Sequence, residues 1–360
     1  MTIIIFIAIL IALVLVHEFG HFLSAKLFGV KVQEFGIGFP PKIASVKRGE
    51  TEYSLNALPL GGFVRIFGEE GEAKKDQRSF ASRPGWQRFV IIASGVIFNI
   101  LFAFIIFWIG FSIGFPTALG EEEVGGTVVN QKVQILEVAK GSPAQSAGLK
   151  EGDIIVKIQN PKSKIQKDIR NVENLQQFTN DNKGEKLMVT IYRGERVVKT
   201  EVLVRQNPPE GQGGMGLVLA DIGLVKYPLI NAFLKAGEAT FETIFFVFTG
   251  IYLLLKNLII SAELIGDVSG PVGIAVLTGQ FYTLGIHYLV FFLALMSINL
   301  AVLNILPIPA LDGGRLLFIG IEKLKGSPLK PEIENKIHAV GFALLIGLVV
   351  LVTIRDILQL

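Results

Sequence analysis

The feature that most restricts the fold of this chain is a long apolar segment that leads into two histidines and a glutamate. Residues 3–16 contain no charged side chain, and the sequence HEFGH follows directly at residues 17–21. Together with the motif and the residues after it, up to about residue 28, the segment is long enough and apolar enough for a membrane-spanning helix. Ionisable groups at membrane depth are costly and usually serve a function. The segment therefore predicts a membrane helix that contains a functional site.

The spacing of the two histidines predicts a metal site. Residues four apart lie on one face of a helix, so His17 and His21 can reach the same ion. Glu18 is placed to take a proton from a metal-bound water. The alternative is a pair of histidines on the polar face of a soluble helix. That alternative fits the spacing but not the apolar flank, because lipid offers polar groups no partners.

Composition places the chain among integral membrane proteins. It is 51% hydrophobic and 18% charged, whereas soluble domains are about 25% charged. The net charge of +3 gives no argument for nucleic-acid binding. The chain has no cysteine, so a zinc ion would need histidine and carboxylate ligands. The N-terminal segment has no basic start and no small-residue cleavage site, so we expect it to be retained.

Four segments are long and apolar enough to cross a bilayer. They are residues 2–28, 89–115, 286–306 and 337–357. A fifth apolar segment, residues 241–260, is interrupted or flanked by charged side chains.

The distribution of Lys and Arg predicts the orientation. These residues are frequent between the first two spans and in the loop after the third span. Both loops are therefore predicted to be cytoplasmic, which places the two termini and residues 117–285 outside. A crossing at residues 241–260 would move the second basic loop outside. Residues 223–285 are accordingly predicted as an amphipathic, membrane-associated segment, with a fifth crossing as the alternative.

The cytoplasmic loop contains alternating aromatic and β-branched residues at about 30–67, which predict β-hairpins. A sheet edge close to the metal helix could hold a substrate in extended form by strand addition. A plain connecting hairpin explains the same pattern.

The segment at residues 117–222 is predicted to be an α+β domain. The sequence GSPAxxAGLxxGDII at residues 141–155 resembles the core of a PDZ domain, and residues 213–218 resemble the groove strand of the circularly permuted bacterial form. PDZ domains bind an extended peptide beside a strand and a helix. The resemblance implies that a peptide or a new C-terminus binds at Gly214, Met215, Gly216 and Leu217.

Two histidines leave a catalytic zinc one protein ligand short, because its remaining position must hold water. Glu34 is a poor candidate for the third ligand because it lies in a predicted strand. His287 and His338 are single residues near the ends of spans, where an interfacial histidine is the simpler interpretation.

Asp312 is the better candidate for the third ligand. It follows the sequence NILPIPAL at residues 304–311, in which two prolines break the third span. Irregular backbone at membrane depth is tolerated where it lines a cavity. The predicted orientation also places Asp312 and both histidines towards the inner ends of their helices. An Asp-Gly turn at the membrane surface is the alternative.

Together, HEFGH in the first span and NxxPxPxLDG in the third resemble the site-2 protease family of intramembrane zinc metalloproteases. The one PDZ module and SGPVGIA at residues 269–275 are similar to its bacterial RseP-type branch. The resemblance implies that zinc is the cofactor and that the ligands are His17, His21 and Asp312. It also implies that Glu18 is the general base and that Asn304 positions the substrate or stabilises the oxyanion.

The predicted fold is an α-helical multi-span membrane protein. It has four transmembrane helices, a cytoplasmic β-hairpin region and an inserted PDZ domain. The predicted domains are residues 1–116 and 286–360 for the membrane part, 117–222 for the PDZ domain and 223–285 for the amphipathic segment.

The resemblance implies that the protein cleaves single-span proteins within the bacterial inner membrane, such as anti-sigma factors and remnant signal peptides. Two other functions stay open. One is a PDZ-bearing membrane scaffold, and the other is a metal transporter with a non-proteolytic zinc site.

Overall fold

The computed structural model of the chain describes residues 1–69, 75–120, 125–194, 196–261, 269–327, 329 and 331–359. Its internal contacts divide it into two units. Unit 1 consists of Met1–Ile106, Gly237–Thr278 and Phe292–Leu360. Unit 2 consists of Phe107–Ala236 and Gly279–Phe291.

Helices dominate the described part of unit 1, and several continue into unit 2. In chain order the helices are α1 (Thr2–Leu27), α2 (Gly85–Ile113), α3 (Pro143–Ser146), α4 (Val172–Asp181), α5 (Leu229–Ser261), α6 (Pro271–Leu284), α7 (Ile286–Ile305), α8 (Asp312–Lys325) and α9 (Pro331–Gln359). Residues 262–268 of the predicted amphipathic segment lie outside the described residues.

Five helices of the described chain are long and apolar enough to cross a membrane, by length and composition. They are Thr2–Leu27, Gly85–Ile113, Leu229–Leu254, Ile286–Ile305 and Glu332–Leu358. Four of them overlap the predicted spans, and the fifth belongs to α5, a single helix of 33 residues. The prediction of several long apolar helices is confirmed, and the count of four crossings stays a prediction.

The N-terminal helix α1 is rich in Ile and Val, which are poor helix formers in water. In lipid, however, a chain must satisfy its backbone polar groups internally, so an apolar segment forms a helix despite its β-branched residues. Helix α1 ends just before Gly29, which has a φ of +68°. Glycine adopts this left-handed conformation at little cost, and it commonly terminates helices for that reason.

Strands β1 (Val32–Arg48) and β2 (Thr51–Ile66) occupy the segment predicted to form hairpins. The first half of β1 pairs with both ends of β2, since Phe35 is opposite Val64 on one side and Tyr53 on the other. The second half of β1 pairs with the first half of β2. The two long strands therefore form a small sheet whose edges are residues 62–66 and 42–48.

Unit 2 contains a second antiparallel sheet. Its strands are β3 (Phe115–Ala118), β4 (Thr127–Val138), β5 (Ile154–Gln159), β6 (Gln166–Asp168), β7 (Lys186–Arg193), β8 (Arg196–Leu203) and β9 (Leu217–Lys226). The spatial order is β3-β9-β4-β5-β7-β8, and β6 pairs with β5. The sheet extends beyond the predicted boundaries of residues 117–222 because β3 and the end of β9 pair with each other.

The second sheet has an apolar core of buried side chains from its strands and from α4. Ile135, Ile155 and Leu187 from the strands and Leu175 from α4 are all buried. The Asn171 side chain caps α4 by accepting a hydrogen bond from the Asn174 amide at 2.9 Å, which satisfies one of the amide groups left free at a helix start.

Candidate metal centre

One face of α1 is buried against α2. His17, His21 and Ser24 are each 7% exposed, and Gly20 lies between them on the same face. A Cβ at Gly20 would collide with the Ser94 carbonyl of α2. The absence of a side chain at this position therefore lets the two helices approach closely, and the paired imidazoles lie in their interface.

Three donor atoms converge at this interface. The His17 Nε2 and His21 Nε2 atoms lie 3.0 Å and 3.3 Å from Asp312 Oδ2, and the two nitrogens are 3.2 Å apart. Among the described residues, these three side chains are a group of His and acidic residues whose donor atoms lie within 4.8 Å of one another. The three residues that the sequence predicted as ligands are thus brought together.

The donor set fits a zinc ion. The Asp312 Oδ2 atom is buried, and among the described residues its near polar neighbours include the two His Nε2 atoms, with which it makes no regular hydrogen bond. Zinc is bound by His nitrogen and carboxylate oxygen at about 2.0–2.2 Å, and tetrahedral geometry then separates the ligand atoms by about 3.4 Å. The observed separations are close to that value.

The ring of His21 is held by the backbone of α2. Its Nδ1 lies 2.8 Å from the carbonyl oxygen of Ile91, so Nδ1 carries the proton and donates it to that oxygen. This contact leaves the lone pair of Nε2 directed at the group of donor atoms. Metal-binding histidines are usually oriented in this way by a second hydrogen bond.

The loop between α7 and α8 positions Asp312, which is the first residue of α8. Within this loop Ala310 has a φ of +79°, and its amide donates a hydrogen bond to His338 Nδ1 of α9 at 2.8 Å. A Cβ at Gly341 of α9 would lie 2.5 Å from Pro309 Cβ. Helix α9 therefore holds the loop that precedes the carboxylate.

The other candidate ligands from the sequence lie elsewhere. His338 bonds the Ala310 amide. Glu34 forms ion pairs with Lys42 at 3.2 Å and Arg65 at 3.3 Å. Neither residue, nor His287, belongs to the group formed by the two histidines of α1 and Asp312.

Glu18 and Asn304 both lie beside the donor atoms. Glu18 follows His17 in α1, and its carboxyl lies close enough to His17, His21, Asp312 and the Val64 backbone to interact with them. Asn304 Nδ2 lies 3.5 Å from His17 Nε2. One further carboxyl group and one side-chain amide therefore lie next to the three donor atoms.

Two of the residues predicted to bind peptide have other structural roles. Met215 is 5% exposed and belongs to the core of the second sheet, so only its backbone is available to a peptide. Gly216 has a φ of +74°, and a Cβ there would lie 2.5 Å from Ser142 Cβ.

The chain has long apolar helices. One of them contains a His-Glu-x-x-His motif whose histidines meet an aspartate. This combination is typical of membrane metalloproteases. A model of Peptidase family M50 matches residues 5–348. The chain therefore belongs to peptidase family M50, the site-2 protease family, and the predicted enzyme class is confirmed.

Relatives match along the whole chain. A protein of Clostridium perfringens is 37% identical over 348 residues, which are 96% of each sequence. The zinc metalloprotease RasP of Geobacillus kaustophilus is 30% identical and covers 99% of this chain and 97% of its own. RasP of Shouchella clausii is 29% identical and covers 100% and 99%. These names agree with the predicted zinc cofactor, as does the donor set described above.

A comparison with solved structures matches the PDZ domain of the SdrC-like protein of Listeria monocytogenes. The match covers 26% of this chain and 92% of that domain, at 18% identity and a TM-score of 0.22.

Helix α2 contributes to the site in a way that the sequence pattern did not reveal. A Cβ at Gly95 would lie 2.5 Å from His21 Nε2 and 2.8 Å from His17 Nε2. Gly95 is thus the position where the backbone of α2 faces both metal-directed nitrogens. The small residues Ala93, Ser94 and Gly95 are the sequence signal that could have indicated this close approach.

We expect Gly95→Ala to lower zinc affinity by about 10- to 100-fold, the range found for disturbed supporting residues of metal sites. The added methyl group would displace both imidazoles. Competition with a chromogenic chelator measures the affinity. Gly85→Ala on the same helix is the control, because the nearest described atom to its Cβ would be Ile319 Cγ2, at an ordinary contact distance of 3.9 Å. Equal affinities of the two variants would contradict the prediction.

Proposed function

We propose that this protein is an intramembrane zinc metalloprotease that hydrolyses peptide bonds within the membrane segments of single-span proteins. The observation that carries the proposal is the meeting of His17 and His21, on the apolar helix α1, with Asp312 at the start of α8. These donors come from positions almost three hundred residues apart, and Glu18 lies beside them.

The proposed roles follow from the chemistry of each side chain. His17, His21 and Asp312 hold the zinc ion. When bound, zinc polarises the scissile carbonyl and makes a water molecule acidic near neutral pH. Glu18 takes the proton of that water and returns it to the leaving amine. Asn304 donates from Nδ2, so it can hold the substrate carbonyl oxygen or stabilise the negative charge that develops on it.

The β1–β2 sheet offers a place for the substrate. A helical substrate hides its carbonyls in hydrogen bonds, so it must unwind before cleavage. Residues 62–66 form one edge of the sheet, and Val64 in this edge contacts the Glu18 carboxyl. An extended strand added to this edge would present its peptide bonds next to the general base.

We propose four membrane crossings, at α1, α2, α7 and α9. Support comes from the basic loops, which are both cytoplasmic only if α5 does not cross. The candidate window of α5 is also the least apolar of the five. Helix α5 then lies along the outer leaflet, the termini and the unit 2 sheet are outside, and the site is near the cytoplasmic side of a bacterial inner membrane.

We also propose that residues 117–222 form a PDZ domain whose groove lies between β9 and α4. Strand β9 pairs with β4 along its length, but with β3 only over Ile222–Val225. The Asp221 carboxylate accepts a hydrogen bond from Val172 N of α4 at 3.0 Å, which joins the two elements at one end. A trimmed substrate with a new C-terminus is the proposed ligand.

The two other functions are less well supported. A scaffold would not need Glu18, both histidines and Asp312 together. A transporter would need further ligands along a path, and the described residues offer no second His and acidic group of the kind that these three residues form.

Cleavage of a purified single-span reporter in liposomes tests the proposed function. We expect two products whose new ends lie inside the membrane segment, as identified by mass spectrometry, and none after treatment with a zinc chelator. A reporter whose membrane segment is all leucine is the control, because it resists unwinding. Cleavage only outside the membrane segment would contradict intramembrane proteolysis.

A further inference from the structure

The hydrogen-bond acceptor of His17 Nδ1 is not evident, whereas that of His21 Nδ1 is. His21 Nδ1 donates its proton to the Ile91 carbonyl. If His17 also binds zinc through Nε2, as proposed above, its Nδ1 must carry a proton. That proton lies in a buried interface, so it needs an acceptor.

Asn99 is the residue at that position. Its Nδ2 atom lies 3.4 Å from His17 Nδ1, and its side chain is completely buried. Its Oδ1 atom has no hydrogen-bond partner among the described residues. Ser297 of α7 donates a hydrogen bond to the Asn99 backbone carbonyl at 2.8 Å, which fixes this turn of α2 from the opposite side.

The two ends of an amide differ in chemistry but hardly in shape. With Nδ2 facing the ring, Asn99 would donate to Nδ1 and leave the proton of His17 on Nε2, where it would block metal binding. A rotation of the amide by 180° exchanges the two atoms and places Oδ1 at the ring. Only this arrangement gives Nδ1–H an acceptor and leaves the Nε2 lone pair free.

We propose that Asn99 is a positioning residue that accepts a hydrogen bond from His17 Nδ1 and thereby keeps Nε2 open to zinc. This inference rests on the proposed zinc site. Ile91, Gly95 and Asn99 are four residues apart and share one face of α2. Ile91 accepts a hydrogen bond from His21, Gly95 leaves space for both imidazole rings, and Asn99 lies against His17.

The test compares Asn99→Leu and Asn99→Asp in the purified full-length protein. Leucine has a similar size but accepts no hydrogen bond, so we expect zinc affinity to fall about 10- to 100-fold in competition with a chelator. Aspartate keeps an acceptor, so we expect this variant to bind within a few-fold of wild type. Asn299→Leu is the matched control, because among the described residues the Asn299 side chain donates to the Leu295 carbonyl of its own helix, at 2.9 Å.

A spectroscopic measurement makes the test independent of the aspartate variant. In protein labelled with ¹⁵N-histidine and loaded with zinc, we expect a His17 Nδ1–H resonance that is protected from exchange with water. Asn99→Leu should lose this protection while the His21 resonance is unchanged.

The outcomes separate this inference from the proposed function. Suppose that the wild-type protein binds zinc. If Asn99→Leu then binds zinc as tightly, or if the His17 Nδ1 proton of wild type is not protected from exchange, the role of Asn99 is overturned and the zinc site is not. Wild type that holds no zinc would overturn the site and this inference with it.

Discussion

Glu18→Gln is expected to lower the rate of reporter cleavage by about 10²- to 10⁴-fold, the usual contribution of a general base. Glutamine has the same shape as glutamate but cannot accept the proton of the attacking water. Since Glu18 is not a proposed ligand, the variant should hold as much zinc as wild type. Initial rates of cleavage in liposomes and elemental analysis of the same sample give the two quantities.

Glu50→Gln provides a matched control for this substitution. Glu50 is an exposed carboxylate that pairs with Lys26 at 2.9 Å, so its loss should leave cleavage near the wild-type rate. Unchanged cleavage in Glu18→Gln would show that another group takes the proton. Normal zinc content with no cleavage in the wild type would instead favour the scaffold or the transporter.

Asp312→Ala should have the largest effect on metal binding. The substitution removes the one charged ligand and leaves two neutral imidazoles. Loss of a supporting residue costs about 10- to 100-fold in affinity, so loss of a ligand should cost more than about 100-fold. Elemental analysis after dialysis should find zinc in wild type and little in the variant, and cleavage should be lost in parallel.

Asp168→Ala is the control for this experiment, because Asp168 is an exposed residue of β6, 3.9 Å from Lys157. It should keep its zinc. One equivalent of zinc retained by Asp312→Ala would refute the proposed ligand set, since the two histidines would then need a different partner.

The sequence indicated which donor atoms come together where the spacing of residues along one helix decides the geometry. His17 and His21 are one turn apart, so a helix of any orientation brings their side chains together. Asp312 could be predicted because prolines and glycines break the helix next to it. In both cases the signal lies in the residues themselves and does not depend on the packing of the chain.

The contribution of α2 could not be predicted in the same way. Gly95 faces the imidazoles only because α1 and α2 pack in one particular register, and no short pattern states which turn of one helix will meet which turn of another. The small side chains around it indicate a close approach but not its partner. The same holds for the Ile91 carbonyl, a backbone atom that every residue has.

The sheet near the site shows a second limit of the sequence. Alternation predicted hairpins at residues 30–67, but the pairing of Phe35 with both Tyr53 and Val64 depends on how β2 bends back along β1. Similarly, Met215 matched a groove pattern, and its burial in the core became visible only with the whole sheet.

The contacts of His338 and Gly341 with the loop before Asp312 have a consequence for biosynthesis. The loop that presents the third donor has its support on a helix made later than any other part of the centre. A nascent chain that has not yet extended past residue 341 has the paired imidazoles in the bilayer but lacks this support. The loop before Asp312 therefore gains this support only once residue 341 has been translated.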